Sequence, residues 1–399
     1  MNVNRVVSKG MCTGCGVCAS VFASKIKIDF SGDYNRPISN GDLTSQENSV
    51  FSYICPGVNQ SSPSKKYNHV IWGKYERSYI GYSSDRNIRF IASSGGVISQ
   101  AVIYLLSENL IDAVVQVRAS KSNPLENEVV VNHKESDVLE SSGSRYSPAS
   151  PLQNIKQIIE GNPNIRLCFV GKPCDVTALT NLMNIDEAVR ASIKYKISFF
   201  CAGTPSRRGV EKLTATLGVD ELDIKSFSFR GKGWPGKTIV KTDKKVAEMS
   251  YSKSWGSILG PTIQNRCKIC ADGIGENSDV VSADVWHSDE SGYPLFTESD
   301  GQGLVLPRTE KGNDLVNQMI KDGVLNVTDY DLEHLKGVQP TQYERKGSIL
   351  ARGFAKFIMQ GVFPKYRNQR LIRAAIKIGL RKNIRAFLGG LIRAKRGEM

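Results

Sequence analysis

The run Met11-Cys-Thr-Gly-Cys-Gly-Val-Cys18 constrains this chain more than any other stretch. Cys12, Cys15 and Cys18 recur every three residues in a loop loosened by Gly14 and Gly16, so three thiolates converge on one centre. A 4Fe-4S cluster takes one cysteine per iron, and the bacterial ferredoxin pattern draws three from such a run and a fourth that precedes a proline. Phe22 stands where a nearby fourth ligand would be, so Cys55, followed by Pro56, is the candidate, and the chain between must fold back. Zinc sites more often come as two Cys-x-x-Cys pairs or Cys/His mixtures, and a third cysteine at the same interval suits one tetrahedral ion poorly. A thioredoxin-type dithiol needs only two cysteines and a strand-to-helix setting that this N-terminus lacks.

Five of the nine cysteines remain. Cys168 lies inside the apolar stretch Arg166-Leu-Cys-Phe-Val170, where a free cysteine behaves as a small hydrophobe. Cys174, Cys201, Cys267 and Cys270 each fall in a loop or just past an expected strand, and four such thiols suffice for a second cluster. One Cys-x-x-Cys pair with two distant cysteines also suits zinc, so spacing alone leaves both open here. A neighbouring cluster favours the cluster reading, since a chain of centres passes electrons.

Residues 1–60 read as a ferredoxin-type module, and Ser61-Ser-Pro-Ser-Lys-Lys66 as a linker. Residues 68–150 and 151–310 read as two α/β units, and 311–399 as a helical extension. Near-alternate apolar residues predict a strand over 70–82. Ala92-Ser-Ser-Gly-Gly96 precedes Val97, Ile98, Ala101, Val102, Leu105 and Leu106, which paint one helix face. Ser94 is the expected N-cap, and the glycines let a phosphate approach the bare amides, although such a turn is usually only a cap. Strands are expected over 110–117 and 128–132, and Ser142-Gly-Ser-Arg-Tyr146 reads as a surface loop.

Strand 166–170, helix 177–183 and strand 195–200 follow in the order that implies parallel pairing. Ligands gather at the carboxyl ends of such strands, which is where Cys174 and Cys201 lie. Short strands are then expected over 227–230, 237–240, 248–253 and 279–286, ahead of a Gly/Asp-rich connection at 289–303. The fold class is therefore α/β (α+β), a small ferredoxin-like cluster module followed by a mixed, partly parallel sheet with flanking helices.

The net charge of +14 would suggest nucleic acid, but its distribution argues otherwise. From Lys365 onward stand eleven basic residues against one acid, a net +10, so the body is only mildly basic. Apolar residues recur among those arginines over 366–396, a basic amphipathic pattern suited to peripheral contact with an anionic inner membrane face or to an acidic partner. The bland alternative is a terminal helix with a solvated basic face, weakened by Gly379, Gly389 and Gly390. No apolar run is long enough to span a bilayer and no signal-peptide pattern opens the chain, so the expected setting is cytoplasmic.

The order of Cys-x-x-Cys-Gly-x-Cys, Cys-Pro, Ser-Gly-Gly, Gly-x-Pro-Cys-Asp, Cys-Ala-Gly-Thr-Pro-Ser and Cys-x-x-Cys-x-Asp resembles the coenzyme F420 hydrogenase/dehydrogenase beta subunit family. The likeness runs from about residue 10 to about residue 310 and omits the basic tail. It implies an oxidoreductase carrying 4Fe-4S clusters and FAD, passing electrons between a redox partner protein or ferredoxin and a small-molecule substrate or deazaflavin coenzyme. Carried across, Ser93, Ser94, Gly95 and Gly96 become candidate flavin phosphate contacts, and Arg145 and Tyr146 candidate flavin neighbours. Two departures stand out. Ala283 precedes Asp284 where many members have glycine, and Lys172 replaces a small or hydroxyl residue. Competing readings are a flavin-free electron-transfer subunit and a zinc-bound interaction module. Asp175, Asp272 and Lys172 lie nearest the expected centre, but none is assigned as acid or base.

Overall fold

In the computed structural model, which describes residues 1–289 and 295–399, the frame is an eight-stranded sheet. Its strands in chain order are β1 (Tyr79–Ser83), β2 (Ala113–Ala119), β3 (Asn127–Asn132), β4 (Leu167–Gly171), β5 (Ile193–Phe199), β6 (Val280–Asp284), β7 (Gly303–Pro307) and β8 (Leu325–Asp329). They lie in the order β8-β1-β7-β6-β5-β4-β2-β3. The run β2, β4, β5 and β6 is parallel, and the strands outside it join antiparallel. This is the mixed, partly parallel sheet that the strand, loop and helix order predicts.

The parallel strands are apolar on both faces, as a doubly covered sheet requires. Successive side chains alternate sides. Val114, Cys168 and Ile197 pack on one face against α1 (Val97–Ser107), through Val97, Ala101, Val102 and Leu105. Val115, Leu167 and Phe169 point to the other face, where α2 (Pro173–Met183) contributes Val176, Leu179 and Leu182. Cys168 is fully buried in this packing, in keeping with a core role.

The N-terminal segment packs on the α2 face, and Cys12, Cys15, Cys18 and Cys55 are themselves members of that core. It holds a hairpin, Ile26–Asp29 with Arg36–Ser39, and a helix Ser45–Ile54 started by a capping box between Thr44 and Glu47. A separate three-stranded antiparallel sheet joins Ser226–Ser228, Thr238–Lys241 and Val246–Met249. Beyond β8 come α3 (Pro340–Gln360), α4 (Leu371–Ile378) and α5 (Leu380–Lys395), and Lys365–Arg367 pairs in parallel with Asn59–Ser61.

Two expected strands differ. Only 79–83 of the stretch from residue 70 is extended, because Gly73 at φ +81° turns the chain and puts Ile71 and Trp72 in the core. The strand expected over 248–253 ends at Met249, and Ser252–Leu259 coils into a wide π-helix. Of the connection at 289–303, residues 290–294 lie outside the described residues.

Candidate redox site

The first cysteine set is built by tight backbone. Gly14 (φ +77°) and Gly16 (φ +86°) turn left-handed, and a Cβ on Gly16 would stand 2.8 Å from the amide nitrogen of Gln153. The loop is pinned from outside. Leu152 donates to the Cys15 carbonyl at 2.9 Å, the Ser150 hydroxyl to the Gly14 carbonyl at 2.8 Å, and the Gln264 amide to the Thr13 carbonyl at 3.1 Å. Cys55 follows the helix Ser45–Ile54 and lies within electrostatic reach of Cys12, Cys15 and Cys18.

The electrostatics tie the four together. Burial pushes the Cys18 thiol far up, and Cys15, Cys12 and Cys55 push the same way. Burial and then Cys55 raise Cys15, while Cys55 is pushed up to about 12 by burial and by Cys12. Backbone amides oppose this: Gly14 donates to the Cys12 sulfur at 3.4 Å, and the amides of Val17, Ala19, Gly57 and Val58 serve Cys15, Cys18 and Cys55. Four buried thiols that repel one another as thiolates, with amides aimed at their sulfurs, want a cationic centre among them.

The second set assembles from distant turns. Cys174 sits in the first turn of α2, Cys201 just past β5, and Cys267 and Cys270 at the helix Asn265–Lys268. Burial and then Cys267 push Cys201 up to about 12, and Arg345 and Lys172 oppose them. Cys174 is raised by burial and then Asp175, with Cys201 and Cys270 adding to it, and Cys267 by burial and Cys270. Gln60 donates to the Cys270 sulfur at 3.2 Å, and its carbonyl accepts from Arg266 at 3.0 Å and Ala271 at 3.1 Å. The segment from Cys55 to Gln60 thus joins the two sets, and the Asp175 charge bears on both Cys15 and Cys174.

Among the described residues no group of three or more His, Cys, Asp or Glu is arranged to hold a metal ion. The quartets are neighbouring thiols, not closed coordination shells around one atom. A four-iron core asks for this chemistry: thiolate donors only, one for each iron, with amide donors to the sulfurs. Both sets fit that donor requirement.

A cavity of about 420 Å³ lies beside the second set. Its wall includes Ser93, Ser94, Arg145, Tyr146, Lys172 and Cys201. Lys172 does not face solvent. Its ammonium lies 2.7 Å from Asp175, and although burial works against its charge, Asp175 above all holds it above the usual lysine range. Arg145 donates to Asn127 at 2.8 Å and to the carbonyls of Pro124, Glu126 and Phe227, so its guanidinium braces the loop beside the cavity. Tyr146 packs on Trp255 with ring centres 4.8 Å apart.

The Ser-Gly-Gly turn differs from expectation. Ser94 is not the helix cap, since it adopts φ +52° and the N-cap of α1 is Gly96. Its hydroxyl donates instead to Asp284 at 2.8 Å. Gly95 and Gly96 lie outside the cavity wall and serve close packing, with a Cβ on Gly96 falling 2.9 Å from the Ile88 carbonyl oxygen.

Sequence reasoning missed the buried hub around Asp284. Arg230 grips it with two bonds of 2.6 and 2.7 Å, Trp234 donates to it at 2.9 Å, and the guanidinium lies 5.0 and 4.9 Å from the ring centres of Tyr251 and Trp286. The signal lay in the glycine-rich turn Arg230-Gly-Lys-Gly-Trp-Pro-Gly236, which joins two of the expected short strands.

Comparison with known proteins bears on this arrangement. A model of the coenzyme F420 hydrogenase/dehydrogenase beta subunit N-term matches residues 78–156, and one of the C terminus matches 165–333. The coenzyme F420 hydrogenase subunit beta of Methanococcus voltae is 26% identical over 266 residues, 65% of this chain and 86% of that protein. The coenzyme F420-dependent sulfite reductase of Methanocaldococcus jannaschii is 25% identical over 337 residues, 81% of this chain and 48% of the relative, so this chain spans about half its length. The 7-hydroxymethyl chlorophyll a reductase of Oryza sativa is 21% identical over 80% of this chain and 63% of that one. Among solved structures, a chain of the F420-reducing NiFe hydrogenase complex from Methanosarcina barkeri shares the fold, with TM-score 0.56 and 19% identity over 72% of this chain and 96% of that one.

Proposed function

The chain belongs to the coenzyme F420 hydrogenase/dehydrogenase beta subunit family, and on that premise we propose that it is an iron-sulfur and flavin-dependent oxidoreductase subunit. It passes electrons between a redox partner protein and a small substrate or deazaflavin coenzyme held in the cavity. The carrying observation is that Cys201 belongs at once to the second thiol set and to the wall that Ser93, Ser94, Arg145 and Tyr146 share, with its electrostatic neighbour Lys172 on the same wall.

Cys12, Cys15, Cys18 and Cys55 would hold one 4Fe-4S cluster, and Cys174, Cys201, Cys267 and Cys270 a second. FAD in the cavity would supply the conversion between one-electron transfer and two-electron or hydride chemistry. The side chains prepare the space for it. Lys172, fixed by Asp175, presents positive charge beside Cys201 and favours an anionic occupant. Tyr251, Trp255 and Trp286 make one wall apolar and exclude water, and the Arg230–Asp284 pair keeps those rings in place without spending its own charge on the ligand. The Asp175 charge, which bears on both sets, and the short segment from Cys55 to Gln60, whose amide donates to Cys270, keep the two centres adjacent, as relay of electrons requires.

The test is anaerobic purification followed by iron, acid-labile sulfide and flavin analysis. The reading expects about eight iron and eight sulfide per chain, with broad absorbance near about 400 nm, and FAD released on denaturation. Cluster absorbance without flavin would leave an electron carrier with no substrate chemistry of its own. A colourless protein holding stoichiometric zinc would sink the redox reading.

A further inference from the structure

Outside the redox site, the largest concentration of exposed apolar side chains lies at the C-terminal end. Of twenty-two exposed large hydrophobic residues among the described residues, eleven fall between Phe354 and Ile392. Ile372, Ile376, Leu380, Ile384, Leu388 and Ile392 follow one another at intervals of four along α4 and α5, each between 49% and 75% exposed. Within each helix a spacing of four keeps such residues on one face, Ile372 and Ile376 on α4 and Leu380, Ile384, Leu388 and Ile392 on α5. The opposite face carries the packing: Leu371 and Ala374 of α4 and Gly390 and Ala394 of α5 are buried.

The patch is wider than one helix. Phe354 of α3 is half-exposed and its ring lies 6.2 Å from that of Phe387, so Phe354, Phe357 and Ile358 extend the apolar strip sideways. Soluble proteins rarely leave a contiguous apolar surface of this kind without an occupant.

Charge identifies the occupant. The segment from Lys365 carries a net +10. Of the acids that meet it, Glu276 takes Arg370, Glu333 takes Lys377 and Glu344 takes Lys382, while Arg381 and Arg385 make no ion pair among the described residues. Arginines thus border the apolar stripe with their charge unspent. No helix is long and apolar enough to cross a membrane among the described residues. Apolar side chains on one face with cations along its edges are what a helix lying in the plane of an anionic bilayer surface presents.

We propose that α4, α5 and the outer face of α3 form a docking surface for an anionic lipid bilayer, which holds the protein peripherally. This inference does not depend on the redox reading. The experiment is co-sedimentation of the purified full chain with vesicles of phosphatidylglycerol and phosphatidylethanolamine, against phosphatidylcholine alone, across a salt series. Size-exclusion with light scattering is run on the same samples without lipid.

The expected result is sedimentation with the anionic vesicles only, weakening as salt rises. Ile384→Asp with Leu388→Asp should lower the partition at least tenfold, and so should Arg381→Glu with Arg385→Glu. All four positions are exposed, so melting temperature and bound iron should stay as in the parent chain. Failure to sediment with anionic vesicles overturns the proposal. So does lipid-free dimerisation that either double variant abolishes, since the face would then belong to a second copy. Equal binding to both vesicle types overturns the electrostatic part and with it the choice of occupant.

Discussion

Glu276 is buried and held by three groups through four bonds: Lys346 at 2.8 Å, Arg370 through two bonds of 2.6 Å, and the Ser62 hydroxyl at 2.9 Å. Burial works against its charge, yet Lys346 and Arg370 hold the carboxyl down to about 2. A depressed carboxylate contributes stability that is complete above the unfolded value near about 4.5 and is lost as pH falls from there through the folded one; the span is worth about 3 kcal/mol. Asp272 acts in the opposite sense, because burial and then Glu276 raise it, so its protonation returns part of the loss. Urea denaturation from pH 6 to about pH 3 should therefore show stability falling with acid, and Glu276→Gln should flatten that fall. The same variant leaves Lys346 and Arg370 buried without their anion, so its stability at neutral pH should drop by about 3–5 kcal/mol. Asp284→Asn should cost a similar amount by stranding Arg230, seen as a lower midpoint in the same titration. The grouping of Cys12, Cys15 and Cys18 was legible in the sequence because it is carried by spacing within one loop. Glu276 and Asp284 were not, since each takes its cations from segments tens of residues away, and no local pattern marks a carboxylate for burial.

At the scale of elements, the turn before α1 decides how that helix enters the sheet. Ser94, Gly95 and Gly96 all have positive φ, which lets the chain fold under β7 with a Cβ on Gly95 only 2.8 Å from Gln302. Gly96→Ala would place a Cβ against the Ile88 carbonyl in a strained backbone conformation, costing about 1–3 kcal/mol. It should also weaken retention of any ligand in the cavity, because Ser94 would be drawn away from Asp284. Thermal melting and flavin titration of the purified variant check both effects. The helix itself was plain from its apolar spacing, but the cap was misplaced: a serine before a helix suggests a capping hydroxyl, and only the backbone reveals that this one turns left-handed. The tail teaches the same lesson. Gly379 does break the helix, whereas Gly390 lies within α5 and packs on α3, where a Cβ would stand only 2.8 Å from the Cβ of Ala355.

Taken whole, the molecule closes its second thiol set with a segment that lies beyond both family matches. Arg345 of α3 donates to the carbonyls of Cys201 and Ala202 at 2.5 and 2.8 Å, Lys346 to Ala271 at 2.7 Å, and Tyr366 to Ile269 at 2.5 Å. The main chain around three of the four cysteines is thus tied to residues 345–366, and Lys268 donates to the Glu398 carbonyl at 2.6 Å. Counting cysteines in the sequence leads to the second quartet, but these ties join segments more than seventy residues apart and leave no trace in spacing. If the ties keep water and oxygen from the set, Arg345→Met should expose it while leaving the N-terminal set untouched. On exposure to air, the absorbance near about 400 nm should then decay in two phases of about equal amplitude, the faster several-fold quicker than in the parent chain and the slower unchanged. Decay identical to the parent would separate the extension from cluster protection. Uniform acceleration of both phases would mean that the substitution loosens the shared core, in which the first cysteine set is embedded, and not the loop around Cys201 alone.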